Sequence, residues 1–304
     1  MTEQFKKSAQ KRFATGLLLA IVGSIAFSGK AIIVKLAYRY GVDAVTLIMY
    51  RMLFALPIFA VMAWWASRGK AALTRNDWLG VLGLGFTGYY LASYLDFAGL
   101  AYISAALERL ILYLNPTLVL ILGWLLYKKK MSSKQVGAMA LSYAGIFLVF
   151  GHELKFDGAT SSNTVLGAVL VFGSAVSYAI YLSYSGEMVK RLGSLRLVGL
   201  ATTVACLLCI AQFAVLRPLS AMVVAPQVIW LSLLNATLCT ALPVLAVMMA
   251  IERIGAPLAA QTGMIGPMST ILMGVFILGE PLNAWIIAGT VLVLGGVYWV
   301  SRKS

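Results

Sequence analysis

An internal repeat constrains this chain more than any other feature of its sequence. The segment 105–149 aligns without a gap with the segment 256–300, at an offset of 151 residues. Small residues and helix-bending prolines recur at equivalent places, and Pro116 falls on Pro267. Small-residue spacing recurs in membrane helices for reasons of composition alone, so the alignment by itself leaves chance similarity open. Duplication is the interpretation that agrees with the apolar runs and charges of the whole chain.

The composition excludes a soluble globular protein. Apolar residues make up 61% of the 304 residues and charged residues only 11%, with a mean hydropathy of +0.91. A soluble domain has an apolar fraction nearer half, and a helix that spans a bilayer needs about 20 apolar residues. Runs of this kind predict ten transmembrane helices, at approximately 14–36, 44–66, 77–97, 101–127, 133–151, 164–186, 195–216, 226–250, 255–279 and 283–301.

The positive charges predict the orientation in the membrane. The net charge of +14 is compatible with nucleic-acid binding, but a phosphate-binding surface should cluster on one exposed face among aromatic residues. With a cytoplasmic N-terminus, seventeen of the 24 lysines and arginines fall in inner loops and tails. The outer loops then hold only Lys35, Arg39, Lys155 and Arg217, as the positive-inside rule requires. Because each half has five helices, the second copy must enter the membrane inverted.

The predicted fold is therefore an all-α polytopic membrane protein of ten transmembrane helices, arranged as two inverted five-helix repeats with both termini cytoplasmic. Its predicted parts are a cytoplasmic tail (1–13), a first repeat (14–151), an external loop (152–163) and a second repeat with a short cytoplasmic tail (164–304). The connections at 152–163 and 186–194 are too short to fold as domains. We expect the functional residues to lie among the helices, in a plasma membrane or bacterial inner membrane.

Five ionisable residues are predicted to lie within the membrane: Lys30, Arg51, Asp96, Glu108 and Arg109. Such residues are costly in a bilayer unless they pair or line water, and all five are predicted within about 10 Å of the outer helix ends. Lys30 and Arg51 could instead extend to the outer headgroups, while Asp96 could simply end a helix. Glutamate is too short to do so, and adjacent helical residues point about 100° apart. At least one of Glu108 and Arg109 should therefore face the interior.

Polar side chains follow one face of the predicted fourth helix. Glu108 and Asn115 lie on one stripe, and Arg109 and Tyr113 lie on the neighbouring stripe. The following proline removes a backbone hydrogen bond and leaves the carbonyl near position 112 free, a defect that is tolerated beside a cavity. This helix is expected to bend at that proline, Pro116, and its repeat equivalent at Pro267.

These features predict a central substrate-binding cavity, completed by tyrosines of the third and sixth helices and by an uncharged second half. The predicted substrate-binding residues are Lys30, Tyr50, Arg51, Tyr90, Tyr94, Glu108, Arg109, Tyr113, Asn115, Tyr178, Tyr181, Asn235, Gln261 and Met264. Asp96 and Glu108 are the candidate proton-coupling residues, since they are the only carboxylates within the predicted helices. The three cysteines lie in apolar runs and indicate neither a disulfide framework nor a metal site. No catalytic residue or cofactor is predicted.

Several short motifs resemble the drug/metabolite transporter superfamily, specifically the ten-helix EamA-type permeases, from about residue 14 to 301. They are Lys35, Tyr50-Arg51, Asn115-Pro116, the segment 278–281 and the spacing of Gly289 and Gly296. The stretch 108–116 with its neighbouring tyrosines is similar to the YddG-type aromatic amino-acid exporters. The resemblance implies two inverted repeats, a central pocket and alternating access, commonly for export. Phe27 replaces a usual tryptophan, which puts the pocket shape in question, and Lys129 replaces an acidic residue found in many first repeats.

The predicted function is a secondary transporter that exports amino acids, with aromatic and other apolar ones favoured. Arg51, Arg109 or Lys30 would bind the carboxylate and Glu108 the ammonium group. The expected partners are an amino-acid or metabolite substrate and the lipid bilayer, with no nucleic acid, and the expected state is a monomer or weak dimer. The chain has no phosphate-binding loop sequence for ATP.

Three other functions stay open at this point. A carrier of cationic drugs or polyamines would use Asp96 and Glu108 as anchors, and the arginines would then oppose binding. An intramembrane enzyme would need His152, which is the only histidine and is predicted at the outer edge, away from the serines of the sixth helix. A channel is disfavoured by the inverted repeat.

Overall fold

A computed structural model describes residues 2–128, 132–156, 161–254, 262–263 and 265–301. Within these residues the chain is almost entirely helical and has no β-strand, which confirms the all-α fold class. The α-helices are α1 (Thr2–Tyr38), α2 (Ala44–Ser67), α3 (Arg75–Leu84), α4 (Ala92–Leu100), α5 (Ala105–Leu112), α6 (Asn115–Tyr127), α7 (Ser133–Phe156), α8 (Ser161–Leu192), α9 (Ser194–Leu216), α10 (Pro226–Ala236), α11 (Leu242–Ile254), α12 (Ile265–Met273) and α13 (Ala284–Ser301).

Three π-helical segments interrupt or extend these helices. Gly85–Leu91 joins α3 to α4, Thr237–Ala241 joins α10 to α11, and Gly274–Leu278 follows α12. The first two segments lie at equivalent positions of the repeat, because an offset of 151 residues brings them into register. Short π segments inside helices are rare and are frequent at functional sites. The same backbone irregularity therefore occurs once in each half of the chain.

Within the part of the chain that the structure describes, seven helices are long and apolar enough to cross a membrane: 13–38, 44–67, 105–125, 133–154, 162–192, 194–216 and 226–247. Two shorter apolar helices lie at 265–278 and 284–299. Polarity is distributed as a bilayer requires, because the outward-facing side chains include Trp65 at 62% exposure and Phe276 at 82%. The ionisable residues Lys30, Arg51 and Glu108 are instead buried. The prediction of a multi-pass membrane protein is confirmed.

Several helix ends differ from the prediction. Helix α8 continues to Leu192, and only Gly193, at φ +85°, separates it from α9, so the predicted connection at 186–194 is wrong. The apolar run ends near Gly186, but the helix continues past it with an exposed ion pair between Glu187 and Lys190, 2.9 Å apart. Likewise 152–156 continue α7 and 161–163 begin α8. Hydropathy marks the apolar part of a helix, and these helices are longer than that part.

Close backbone contact joins the two halves where α7 packs against α13. A Cβ atom added to Gly145 of α7 would lie 2.6 Å from the carbonyl oxygen of Gly289 in α13. By contrast, a Cβ atom on Gly151, further along α7, would meet nothing within 4 Å. Small residues allow this approach of two membrane helices. The other extensive helix pairs are α2 with α9, α1 with α11 and α4 with α8.

A capping carboxylate outside the membrane spans begins α2. Asp43 accepts hydrogen bonds from the backbone N–H of Val45, at 3.0 Å, and of Thr46, at 3.3 Å. Arg217, just after α9, donates to the same carboxylate at 3.2 Å. Partial burial acts to raise the pKa of Asp43, but the hydrogen bonds from Thr46 and the Arg217 guanidinium outweigh it and hold the pKa below its ordinary value of 3.8.

Candidate substrate-binding site

A cavity of about 240 Å³ lies among the helices of both halves. Its walls come from α1, α2, α4, α5, the start of α6, α8 and α11 and from the first two π segments. The lining residues are Phe27, Lys30, Arg51, Phe59, Gly88, Tyr89, Ala92, Ser93, Asp96, Arg109, Leu112, Tyr113, Asn115, Ser174, Tyr178, Thr240 and Val244. They include four of the five ionisable residues predicted inside the helices.

One lysine pairs with both buried carboxylates. Lys30 Nζ lies 2.5 Å from Asp96 Oδ2 and 3.4 Å from Glu108 Oε1. Asp96 is 2% exposed and Glu108 is 0% exposed. An uncompensated charge would be very costly at such burial, so the ammonium group between the two carboxylates stabilises both. Lys30 therefore does not extend to the headgroups.

The two arginines have no carboxylate partner within 4.0 Å among the described residues. Arg51 donates from Nε and Nη2 to the hydroxyl oxygen of Thr240, at 3.2 and 3.1 Å. Arg109 donates from Nε to the hydroxyl of Thr270 at 2.9 Å. Both guanidinium groups also face aromatic rings: Arg51 lies 5.1 Å from the Phe97 ring centroid, and Arg109 approaches Phe27 at 5.3 Å.

Arg51 has an additional unsatisfied donor. Its Nη1 is buried and makes no hydrogen bond within the described part of the chain. Buried donors in proteins are nearly always satisfied, and a guanidinium group presents a planar fork that matches a carboxylate. The cavity thus holds two buried cationic forks, and one nitrogen of Arg51 has no acceptor among the described residues.

The predicted fourth helix is interrupted just before Pro116, the residue at which the sequence predicts a bend. Helix α5 ends at Leu112 and α6 begins at Asn115, with Pro116 in its first turn. Because proline has no N–H to donate four residues back, the carbonyl of Leu112 accepts instead from Asn115 Nδ2, at 2.7 Å. The Tyr113 hydroxyl donates to the Gly263 carbonyl oxygen at 2.6 Å, which ties this break to the second half.

Six predicted substrate-binding residues line the cavity: Lys30, Arg51, Arg109, Tyr113, Asn115 and Tyr178. Glu108 does not line the cavity, and it contacts Lys30 of the lining, whose Nζ lies 3.4 Å from Glu108 Oε1. Tyr181 lies behind the wall, where its ring stacks on Tyr178 with centroids 5.4 Å apart. The sequence pattern placed these side chains on the correct helices, but it left their rotation about the helix axis open.

Four other predicted residues that the structure describes, Asn235, Tyr50, Tyr90 and Tyr94, lie outside the lining. Asn235 is buried and points its Nδ2 at the Lys30 carbonyl oxygen, 3.5 Å away, so it supports α1. The Tyr50 hydroxyl donates to the Met222 carbonyl oxygen at 2.6 Å, and Tyr90 packs on Phe86 with ring centroids 5.4 Å apart. Tyr94 packs in the core beside α2. Gln261 and Met264 lie outside the described residues, and Pro267 lies in the first turns of α12, where a bend is not tested.

Sequence reasoning missed several residues that line the cavity, above all Tyr89 and Thr240. Both belong to the π segments that join α3 to α4 and α10 to α11, and they are repeat equivalents at an offset of 151. The repeat alignment, extended to these helices, is the signal that could have identified them. Phe27 and Tyr178 form a second equivalent pair in the lining, and Ser93 and Val244 form a third.

A second, larger cavity of about 590 Å³ lies near the ends of α1, α4, α7 and the start of α13. Glu280 is central to it, because its Oε1 accepts from the backbone N–H of Ala105 at 2.9 Å and lies 3.5 Å from Lys35 Nζ. Ala105 begins α5, so the carboxylate meets a helix N-terminus, where a negative charge is favoured. Ser104 caps the same helix and bonds to Glu153. This cluster connects the second half of the chain to the helix that carries Glu108 and Arg109.

A model of the EamA-like transporter family matches the chain twice, over residues 14–151 and 165–302. The chain belongs to the EamA-like transporter family. The two matches start 151 residues apart, which is the offset of the repeat found in the sequence. The narrower likeness to YddG-type exporters stays a prediction.

Relatives of this EamA-family transporter occur in bacteria, archaea and plants. The uncharacterized transporter YcbK of Bacillus subtilis (strain 168) is 28% identical over 300 residues, covering 97% of this chain and 94% of that protein. An uncharacterized transporter of Archaeoglobus fulgidus is 24% identical, covering 95% and 98%. A WAT1-related protein of Arabidopsis thaliana is 26% identical, covering 93% and 88%.

A solved crystal structure of a protein superposes on the chain with a TM-score of 0.61, covering 95% of this chain and 99% of that one at 14% identity. At this identity the likeness shows the fold alone. Family and relatives together make the chain a multi-pass membrane transporter, and they leave its substrate open.

Proposed function

We propose that this EamA-family transporter exports amino acids, with aromatic and other apolar ones favoured, across the plasma membrane or bacterial inner membrane by alternating access. The observation that carries the proposal is the pair of buried arginines, Arg51 and Arg109, which line one cavity without carboxylate partners among the described residues. A substrate carboxylate would supply the missing acceptor. The rings of Phe27, Phe59 and Tyr178 in the same lining would contact an apolar side chain.

The architecture we propose is ten transmembrane helices in two inverted repeats, with both termini cytoplasmic. We count three consecutive pairs as one bent transmembrane helix each: α3 with α4, α5 with α6, and α10 with α11. This count supports a total of ten transmembrane helices. The packing also pairs as a twofold axis requires, since α1 contacts α11 while its equivalent α8 contacts α4. Three pairs of repeat-equivalent residues in one cavity support an axis that passes through it. Five helices per half would then invert the second copy.

Proton coupling is a further part of the proposal. Asp96 and Glu108 share a single ammonium group, so their combined charge exceeds that of their partner. Two carboxylates that share a site do not both ionise freely. A change of helix position that moved Lys30 would alter their proton affinity. We expect Glu108→Gln to abolish pH-driven transport and to spare counterflow exchange, and loss of both activities would contradict a coupling role.

The proposed function is tested by counterflow in proteoliposomes across the twenty amino acids, with quaternary ammonium drugs as comparators. Saturable, trans-stimulated flux of aromatic amino acids is expected, and it should be lost in Arg51→Met and Arg109→Met. The matched control is Arg68→Met, which removes an arginine that stacks on Trp64 away from the cavity. Flux of the drugs alone would favour a cationic-drug carrier, and flux without saturation would indicate a channel.

The cavity volume also favours an amino acid over a drug-sized cation as the substrate. A cavity of about 150 Å³ suffices to bind benzene, and sites for drug-sized ligands usually occupy about 300–1,000 Å³. At about 240 Å³, the cavity suits one aromatic ring with a short polar tail better than a drug-sized cation.

A further inference from the structure

We infer that this cavity recognises its substrate by the carboxylate and the apolar side chain, and that the amino group is dispensable. Acids such as 3-phenylpropionate, which lack an amine, would then bind about as well as the matching amino acid. The inference rests on the proposed function, because it assumes that the cavity around Arg51 and Arg109 is the substrate site.

The net charge of the buried cluster favours an acid without an amine. Three cations, Lys30, Arg51 and Arg109, lie with two carboxylates, Asp96 and Glu108, in one buried cluster. With all five ionised, the cluster carries one positive charge, and protonation of either carboxylate raises the net charge to two. In both states an amine-free carboxylate lowers the net charge by one, whereas a zwitterion brings a further cation and leaves the net charge unchanged. Buried charge that stays unneutralised is costly, so the cluster favours the simple acid.

Among the described residues of the cluster, each carboxylate that could bind a substrate ammonium group already contacts Lys30. Both carboxylates already contact Lys30, and Glu108 does not line the cavity. Asp96 lines it and keeps one oxygen, Oδ1, without a hydrogen bond in the described part of the chain. A substrate ammonium at that oxygen would lie close to Lys30 Nζ, which is 2.5 Å from the other oxygen. Like charges at such separations repel, so Lys30 acts as a tethered competitor for the amine.

The hydrogen-bond donors of the two arginines favour the carboxylate end of a substrate. Arg51 Nη1 is a buried donor without an acceptor among the described residues, and neither arginine has an ion-pair partner there. An unsatisfied buried donor favours any ligand that supplies an acceptor oxygen. A carboxylate supplies two oxygens in the plane that a guanidinium fork matches. Binding free energy is therefore concentrated at the acid end of the substrate.

The experiment compares three ligands that differ by one group each. Proteoliposomes loaded with L-phenylalanine take up labelled L-phenylalanine by counterflow, while L-phenylalanine, 3-phenylpropionate or phenethylamine competes outside. We expect 3-phenylpropionate to compete within about threefold of L-phenylalanine, and phenethylamine to be on the order of a hundredfold weaker. Competition by phenethylamine, or phenylalanine flux that 3-phenylpropionate does not inhibit, would overturn the inference alone. If none of the three ligands binds, the proposed function is refuted with it.

Discussion

Replacing Lys30 with methionine should be among the most destabilising single changes in this protein. The lysine lies 2.5 Å from Asp96 and 3.4 Å from Glu108, and its side chain is 9% exposed. At an effective dielectric constant of about 20, the two attractions amount to about 7 and about 5 kcal/mol before desolvation is counted. Desolvation cancels much of this, and breaking a buried ion pair costs about 3–5 kcal/mol in practice. We expect the free energy of unfolding to fall by that amount.

The measurement is unfolding in mixed micelles, as sodium dodecyl sulfate displaces a mild detergent. The matched control is Lys190→Met, which breaks an exposed pair with Glu187 at 2.9 Å and should cost less than about 1 kcal/mol. Adding Asp96→Asn and Glu108→Gln to Lys30→Met removes the stranded charges and should recover most of the loss. If Lys30→Met proves no more destabilising than the control, Lys30 does not neutralise this cluster and the reasoning fails.

Three further changes test other parts of the fold. Glu280→Ala removes the acceptor at the Ala105 N–H and should lower the free energy of unfolding by about 1–3 kcal/mol, and a neutral result in the same micelles would contradict its capping role. Gly145→Ala should lower the melting temperature because its Cβ would meet a backbone carbonyl, whereas Gly151→Ala on the same helix should leave the melting temperature at or above that of the wild type. If the two variants melt at the same temperature, the packing argument is refuted. Asp43 has a depressed pKa, so its stabilising contribution is complete above about pH 4 and is lost as the pH falls through the folded-state pKa; Asp43→Asn should flatten the melting temperature between about pH 3 and 6, and an unchanged pH profile would show that Asp43 does not carry it.

The sequence predicts the fold class well because hydropathy is a physical requirement of the bilayer. Each apolar run must satisfy its own backbone hydrogen bonds, so it forms a helix. The break before Pro116 was equally predictable, since proline lacks the donor that Leu112 needs. Helix ends outside the membrane were harder, because α8 continues to Leu192 on local ion pairs that hydropathy does not register.

The site was predicted only in part, because periodicity gives the neighbours along one helix and not the partners on others. Glu108 and Asp96 are equally acidic in the sequence, but only Asp96 lines the cavity. The difference arises from how α5 and α4 are rotated against α1, where Lys30 lies between them. In the sequence, Thr240 is marked only by its repeat equivalence to Tyr89, although its hydroxyl accepts from Arg51.

The distribution of charge over the two halves explains why a twofold scaffold can hold an asymmetric ligand. All four charged residues of the lining belong to the first repeat, at positions 30, 51, 96 and 109. Their equivalents at the offset of 151 are residues 181, 202, 247 and 260, which are tyrosine, threonine, valine and alanine. A π segment in each half contributes to the same cavity, so the backbone there is alike in both copies. Charged residues from one copy and uncharged residues from the other make a lining that suits a ligand with one charged and one apolar end.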